Sequence, residues 1–415
     1  MVRLARLLAI ILVGHTVTAR AQEPNWPQFR GPDGQGHSSE RGLPVEWSES
    51  KNVVWKVPVA GRGWSSPVVA GNRVWLTTAT PVKKETSLRL MAFDLETGAQ
   101  ALDVEVFRLR SSELLNPKNS HASPTPIVEG DRVYVHFGAE GTAALTTAGE
   151  IVWKTRQTYE SQHGNGGSPE LAGDLLIINC DGFDQAFVVA LDKRTGKTRW
   201  RTDRHEPHSQ AYSTPLGIRA GDRDQIVSVG AFNAAAYDPQ NGREIWRVSY
   251  PEGFSNVPRP VYGDGLVFIT TGFQQPVLMA IRPDGKGDVT KTHVAWTLAR
   301  GAPLTPSPLV LGDELYVISD NGIASCLDAR TGSVHWQARL GNSFSASPVA
   351  ADGRIYFLDE DGRTTVIKPG LAAERLAVNP LDGSTLASMA VASQSFFIRT
   401  ASHLYRIAAA AGAAR

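Results

Sequence analysis

Seven side chains able to bind a ligand fall at equivalent places of a repeating chain: Trp64, Asn119, His121, His163, Asn165, Tyr212 and Arg259. Each stands just ahead of a short apolar run that opens one copy of the repeat, in company with Ser65, Ser120, Gly164, Asn256, Thr305, Ser343 and Phe344. Two imidazoles and two amides can exchange hydrogen bonds with a polar or carboxylate-bearing ligand, a guanidinium can pair with its charge, and two rings can stack on a flat one. That set suits a quinone acid, a sugar or a peptide end without choosing among them. The same residues would also serve a plain structural role, capping strand ends and holding water.

Other chemistry is less well supported. Asp181-Gly182-Phe183-Asp184 and Asp359-Glu360-Asp361-Gly362 are acidic enough for calcium, but each falls where a strand-to-strand turn is due, and turns favour Asp and Gly for their geometry. Gly164-Asn165-Gly166-Gly167 precedes a strand rather than the helix a phosphate loop needs. The histidines show no zinc spacing, and no Ser, His and Asp set stands out, so no catalytic residue and no metal ligand is assigned. Cys180 and Cys326 fall in units far apart in the repeat and read as buried thiols rather than a disulfide.

The repeat that would position these groups is clearest from Ser307 to Trp336. Four short apolar runs there, Leu309 to Leu311, Leu315 to Ile318, Ile323 to Leu327 and Val334 to Gln337, are separated by Gly312-Asp313, Asp320-Asn321-Gly322 and Thr331-Gly332. This is the pattern of a four-stranded antiparallel meander, stable only with neighbours stacked on it. The element Asp-x-x-x-Gly-x-x-x-Trp recurs at Asp192 to Trp200, Asp238 to Trp246 and Asp328 to Trp336, with looser copies ending at Trp153 and Trp296. Tryptophans about 40 to 50 residues apart carry the period of propeller blades.

First strands are marked by Ser or Thr before proline at 66, 125, 168, 214, 307 and 347, with Arg259-Pro260 and Ser388-Met389 as variants. Proline lacks a donor and suits the first place of a strand. Eight units follow, and Val53 to Val57 is a fourth strand with no unit before it. The expected fold is all-β: an eight-bladed β-propeller of four-stranded antiparallel blades, its ring closed by the N-terminal strand. First strands line the channel of such a ring, so the seven residues gather at its mouth.

The organisation reads as a signal peptide over 1–21, an extended arm over 22–46, the propeller over 47–407 and a disordered tail over 408–415. Arg3 and Arg6, the apolar run from Leu7 to Val13 and Ala19-x-Ala21 mark a leader cut after Ala21, so the mature chain is periplasmic or secreted, with no transmembrane segment. In the arm, Trp26 and Phe29 pin an extended segment across the propeller or form a lid over its opening. The first blade is irregular: Leu102 takes the tryptophan place, Thr80 to Ser87 lengthens a connection, and Phe107 to His121 makes a long link to the second blade. A net charge of +1 with scattered Lys and Arg gives no case for nucleic acid. The expected state is a monomer.

The Asp-x-x-Thr-Gly-x-x-x-Trp hairpins, the Ser-Pro strand starts and the Trp26-Pro27-x-Phe29-Arg30-Gly31-Pro32 arm resemble the PQQ-like repeat β-propellers of bacteria, from Trp26 to Ile407. The resemblance implies either a quinoprotein dehydrogenase or a non-enzymatic member, such as the propeller lipoprotein of outer-membrane β-barrel assembly. In the alcohol dehydrogenases of that superfamily, PQQ lies with Ca²⁺ against a disulfide of adjacent cysteines, beside an aspartate base. Cys180 and Cys326 are not adjacent, and neither calcium ligands nor base can be placed. The reading is therefore a non-enzymatic binding or assembly scaffold that takes a protein or small polar ligand at the mouth. The alternative is a PQQ-dependent oxidoreductase acting on alcohols or sugars.

Overall fold

The computed structural model describes residues 25–410 apart from 111–114 and 206; the leader and residues 411–415 of the tail lie outside that range, while Ala408 still belongs to a strand. Eight antiparallel sheets follow one another along the chain as the blades of a propeller. The sixth blade comprises Leu309–Leu311, Glu314–Ile318, Ile323–Asp328 and Val334–Arg339, within two residues of the runs read from sequence. In the eighth sheet the outer strand is Val53–Pro58, paired antiparallel with His403–Ala408. The fourth sheet gains a fifth, parallel strand, Gly287–Asp288, from the enlarged turn of the fifth blade.

Each blade is held to the next by two devices, and both explain a repeated residue. The first is the outer tryptophan. Trp153, Trp200, Trp296 and Trp336 each donate their indole N–H to a backbone carbonyl of the following blade, at 2.9 to 3.0 Å. Trp55 does the same to Leu95 of the first blade at 3.1 Å, so the last junction is built like the others. In four of these the ring lies on the turn glycine: Gly98, Gly196, Gly242 and Gly332 have φ of 71–72° and no room for a Cβ beside the indole. The turn Asp holds the loop in shape, with Oδ1 accepting from the Thr three residues on, as in Asp192–Thr195 and Asp328–Thr331. A bulge recurs in the fourth strand just before the tryptophan, leaving Val152, Arg199 and His335 unpaired opposite Ala144/Leu145, Ala190/Leu191 and Cys326/Leu327, and such a bulge re-aims the ring toward the neighbour.

The second device is the hydroxyl that precedes the proline. Thr125 Oγ1 accepts the amide of Ser66, Ser168 Oγ that of Thr125, and Thr214 Oγ1 that of Ser168, at 2.9 to 3.0 Å. Ser307, Ser347 and Ser388 continue the belt from the amides of Arg259, Ser307 and Ser347. Six blade junctions are thus tied at the inner rim, and the buried amides there are satisfied. Replacing Ser168 by alanine leaves the Thr125 amide without an acceptor and should cost about 1–3 kcal/mol, the penalty for an unpaired buried donor. A urea midpoint unmoved by that substitution would show the belt to be ornamental.

The first blade corrects one expectation. Thr80 to Ser87 is no loop: Arg73–Val82 and Glu85–Asp94 pair along their whole length, turning only at Lys83-Lys84. Phe107 likewise belongs to a strand, Gln100–Leu109, so the link to the second blade starts after Leu109 and not at Phe107. Cys180 and Cys326 are free, buried thiols.

Candidate functional site

The arm decides the shape of the channel. Trp26 exchanges two backbone hydrogen bonds with Val69, Pro27 accepts from Val128, Gly36 from Ala350, and the His37 ring bonds the carbonyl of Val310 at 2.7 Å. Glu40 then accepts the amides of Ser393 and Gln394. These partners lie on or just after the inner strands, at the end away from the Ser-Pro starts. The arm therefore crosses the far end of the channel, and Phe29 becomes its floor. Of the two roles read from sequence, the described residues show the first: the segment is pinned across the propeller, at the end opposite the mouth.

What remains above Phe29 is a cavity of about 540 Å³ open at the Ser-Pro end. Trp64, Asn119, His163 and Tyr212 line it, as do the belt hydroxyls. Each belt hydroxyl accepts an amide and still carries a proton to donate. Asn119 and Tyr212 are also structural: Asn119 donates to the carbonyl of His163 at 2.8 Å, and the Tyr212 hydroxyl donates to the carbonyl of Gln162 at 2.8 Å. Burial raises the Tyr212 pKa above the usual phenol value, so the ring stays neutral. His163 sits at φ 68°, a conformation unusual for a residue with a Cβ, while its carbonyl anchors the link that carries Asn119.

Three of the seven candidates lie outside the cavity lining. His121 is half-buried beside it, its pKa held below the ordinary value first by burial and then by the charge of Arg62. Asn165 packs against Gly138 and donates to Gly167. Arg259 is fully buried, with Nη2 2.6 Å from Glu170 and Nη1 2.8 Å from the carbonyl of Phe29. It ties the arm to the ring instead of facing the mouth, because its long side chain runs down the channel where Ser and Thr of other blades stop at the rim.

Several lining residues had no sequence signal. Phe254 and Phe273, their centroids 5.7 Å apart, form an aromatic wall at the rim, with Phe273 52% exposed. They sit in irregular loops with no repeat position to mark them. Asp320 also faces the cavity, although in sequence it is a turn residue; its Oδ2 accepts the amides of Leu304 and Thr305 at 2.6 and 3.3 Å. Lys118 lines the rim with its ammonium 2.8 Å from Glu360.

The sequence profile described as outer membrane protein assembly factor BamB matches residues 37–174, 184–308 and 286–414. The chain belongs to this family. BamB of Yersinia pestis is 28% identical over 206 residues, which are 44% of this chain and 49% of that protein. BamB of Shewanella oneidensis is 25% identical over 260 residues, 57% of this chain and 61% of the other. The matched span is thus about half to three fifths of the length of these BamB relatives. Among solved structures, BamB from Moraxella catarrhalis aligns with TM-score 0.60 at 12% identity, covering 86% of this chain and 99% of that one. The computationally designed Ika8 protein aligns with TM-score 0.60 at 9% identity, over 86% and 100%. At such identities these two structures support the fold and carry no functional argument.

The cavity is a poor fit to the PQQ and calcium of the dehydrogenases. PQQ carries three carboxylates, and the lining offers one ammonium, already paired with Glu360. Calcium prefers several carboxylate or carbonyl oxygens, and the lining has a single carboxylate, Asp320, engaged by two amides. Among the described residues no three His, Cys, Asp or Glu side chains cluster as a metal site. Asp181 and Asp359, the acidic turn residues, are taken by Arg204 at 2.5 Å and Arg363 at 2.9 Å.

Proposed function

We propose that the protein is a periplasmic, non-enzymatic scaffold in outer-membrane protein assembly, and that it holds a polypeptide partner at the channel mouth. Family membership supports the assembly role, since the matched profile and relatives carry that description. The observation that supports the mouth is the form of the cavity: a blind cup with hydroxyl donors around its wall and aromatic rings at its rim. Spare hydroxyl protons suit the carbonyls of an extended chain, and rings suit its side chains.

The test is capture of envelope proteins by the mature chain. Replacing Trp64 and Phe273 together by alanine should weaken capture at least tenfold, as expected for aromatic anchors at an interface. Phe273 is half exposed, so its loss should leave the thermal midpoint close to wild type. Undiminished capture by the double variant would move the binding surface to the outer blade edges.

A further inference from the structure

We infer that the mouth cavity is selective for a positively charged group, and that its occupant is a lysine or arginine side chain of the polypeptide partner. The inference rests on the mouth being the binding surface, and concerns what it prefers. Charge around the cup is lopsided once existing pairs are set aside. Lys118 is neutralised by Glu360, 2.8 Å away, and Glu360 is further fixed by the Ser345 hydroxyl at 2.6 Å. Among the described residues Asp320 has no cationic partner: Oδ2 takes the amides of Leu304 and Thr305, and the Thr305 hydroxyl and the residue's own amide also bond the carboxylate, so all its partners are neutral. A mostly buried carboxylate without a counter-charge attracts a cation more strongly than an exposed one, because little water screens it.

The rings are the second observation. Phe254 is held between Phe232 and Phe273, with centroids 6.1 and 5.7 Å away, and Phe273 keeps about half its surface open. Phe254, Phe273 and Asp320 line one cavity, together with Leu304, whose amide Asp320 accepts. A carboxylate and neutral aromatic faces around one space are the combination that holds ammonium and guanidinium groups, with carboxylate supplying charge and ring faces supplying cation–π attraction. The remaining lining is hydroxyl, amide and apolar, which suits the alkyl stem of a long basic side chain and the backbone beyond it.

Two blocked pentapeptides, alike except for lysine or norleucine at the centre, decide this by calorimetric titration of the full mature chain. Wild type should bind the lysine peptide at least tenfold more tightly, and Asp320→Asn, whose amide oxygen can still accept from Leu304 and Thr305, should erase the difference. Phe273→Leu should weaken the lysine peptide several-fold and the norleucine peptide little. Thermal melts of both variants verify folding; should Asp320→Asn melt early, Phe273→Leu carries the decision. Equal binding of the two peptides, or no binding of either at millimolar concentration, overturns the inference. Methylamine binding as tightly as the lysine peptide overturns the choice of a polypeptide source. If Asp320→Asn captures envelope proteins as wild type does while the Trp64 and Phe273 double variant does not, the charge preference fails and the mouth remains the binding surface.

Discussion

Replacing Arg259 by methionine should lower stability by about 3–5 kcal/mol, the cost of removing one partner of a buried ion pair. Its guanidinium is fully buried, and Glu170, left behind, would retain only the Gly217 amide at 3.1 Å. The same change cuts the bond from Nη1 to the Phe29 carbonyl, so the arm should become susceptible to proteolysis around Gly31 to Gly42 before the blades unfold. Adding Glu170→Gln should recover part of the loss, because the orphaned charge is then gone. Denaturant midpoints for both single variants and the double, with limited proteolysis alongside, supply the cycle. A loss below about 1 kcal/mol for Arg259→Met would mean that water reaches Glu170 and the pair is not a buried one.

Trp200→Ala should cost a similar amount, about 3–5 kcal/mol, the usual range for truncating a buried tryptophan. The ring is 8% exposed, covers Gly242 of the next blade and donates to the carbonyl of Pro239 at 2.9 Å. The reciprocal change, Gly242→Ala, should also destabilise, since its Cβ would lie 2.4 Å from the indole and its φ is 72°. Trp246 offers a contrast within the chain. The turn it would meet is replaced by the longer Pro283 to Gly287 segment, and its indole donates to Gln225 of its own blade at 2.7 Å. Gln225 in turn donates to the carbonyl of Pro283 in the next blade at 3.0 Å, and Trp246 pairs with Gly287, so Trp246→Ala should lose exchange protection in its own sheet as well as at this junction. Exchange confined to the junction would contradict this.

The repeat was legible because its period, turns and strand starts are chemical necessities of one meander stacked on another. Strand ends in the sixth blade fall within two residues of the sequence reading. The hydroxyl belt was not legible, although its residues were noted: Ser and Thr before proline were read through the proline, and the amide they accept belongs to a different blade. Thr80 to Ser87 was not legible either. The segment was read as a longer connection, yet Pro81 lies at an exposed strand tip and Lys83 and Lys84 form the two-residue turn itself.

At the site, position in the repeat correctly brought Trp64, Asn119, His163 and Tyr212 to one cavity, because strand starts must converge in a ring. It misplaced Arg259, since position fixes where a Cα stands and not how far a long side chain travels. Phe254, Phe273 and Asp320 lay beyond it, two in loops without period and one disguised as turn chemistry.

The arm and the strand Val53–Pro58 are made before any blade is complete, yet many of their partners come near the end of the chain: Ala350, Ser393, Gln394 and His403–Ala408. Neither can settle until nearly the whole chain exists. A nascent chain stopped after six or seven blades therefore has an open sheet edge and an unplugged channel, a form prone to aggregation. Maturation is gated by completion: the binding cup acquires its floor only when the ring that surrounds it has closed.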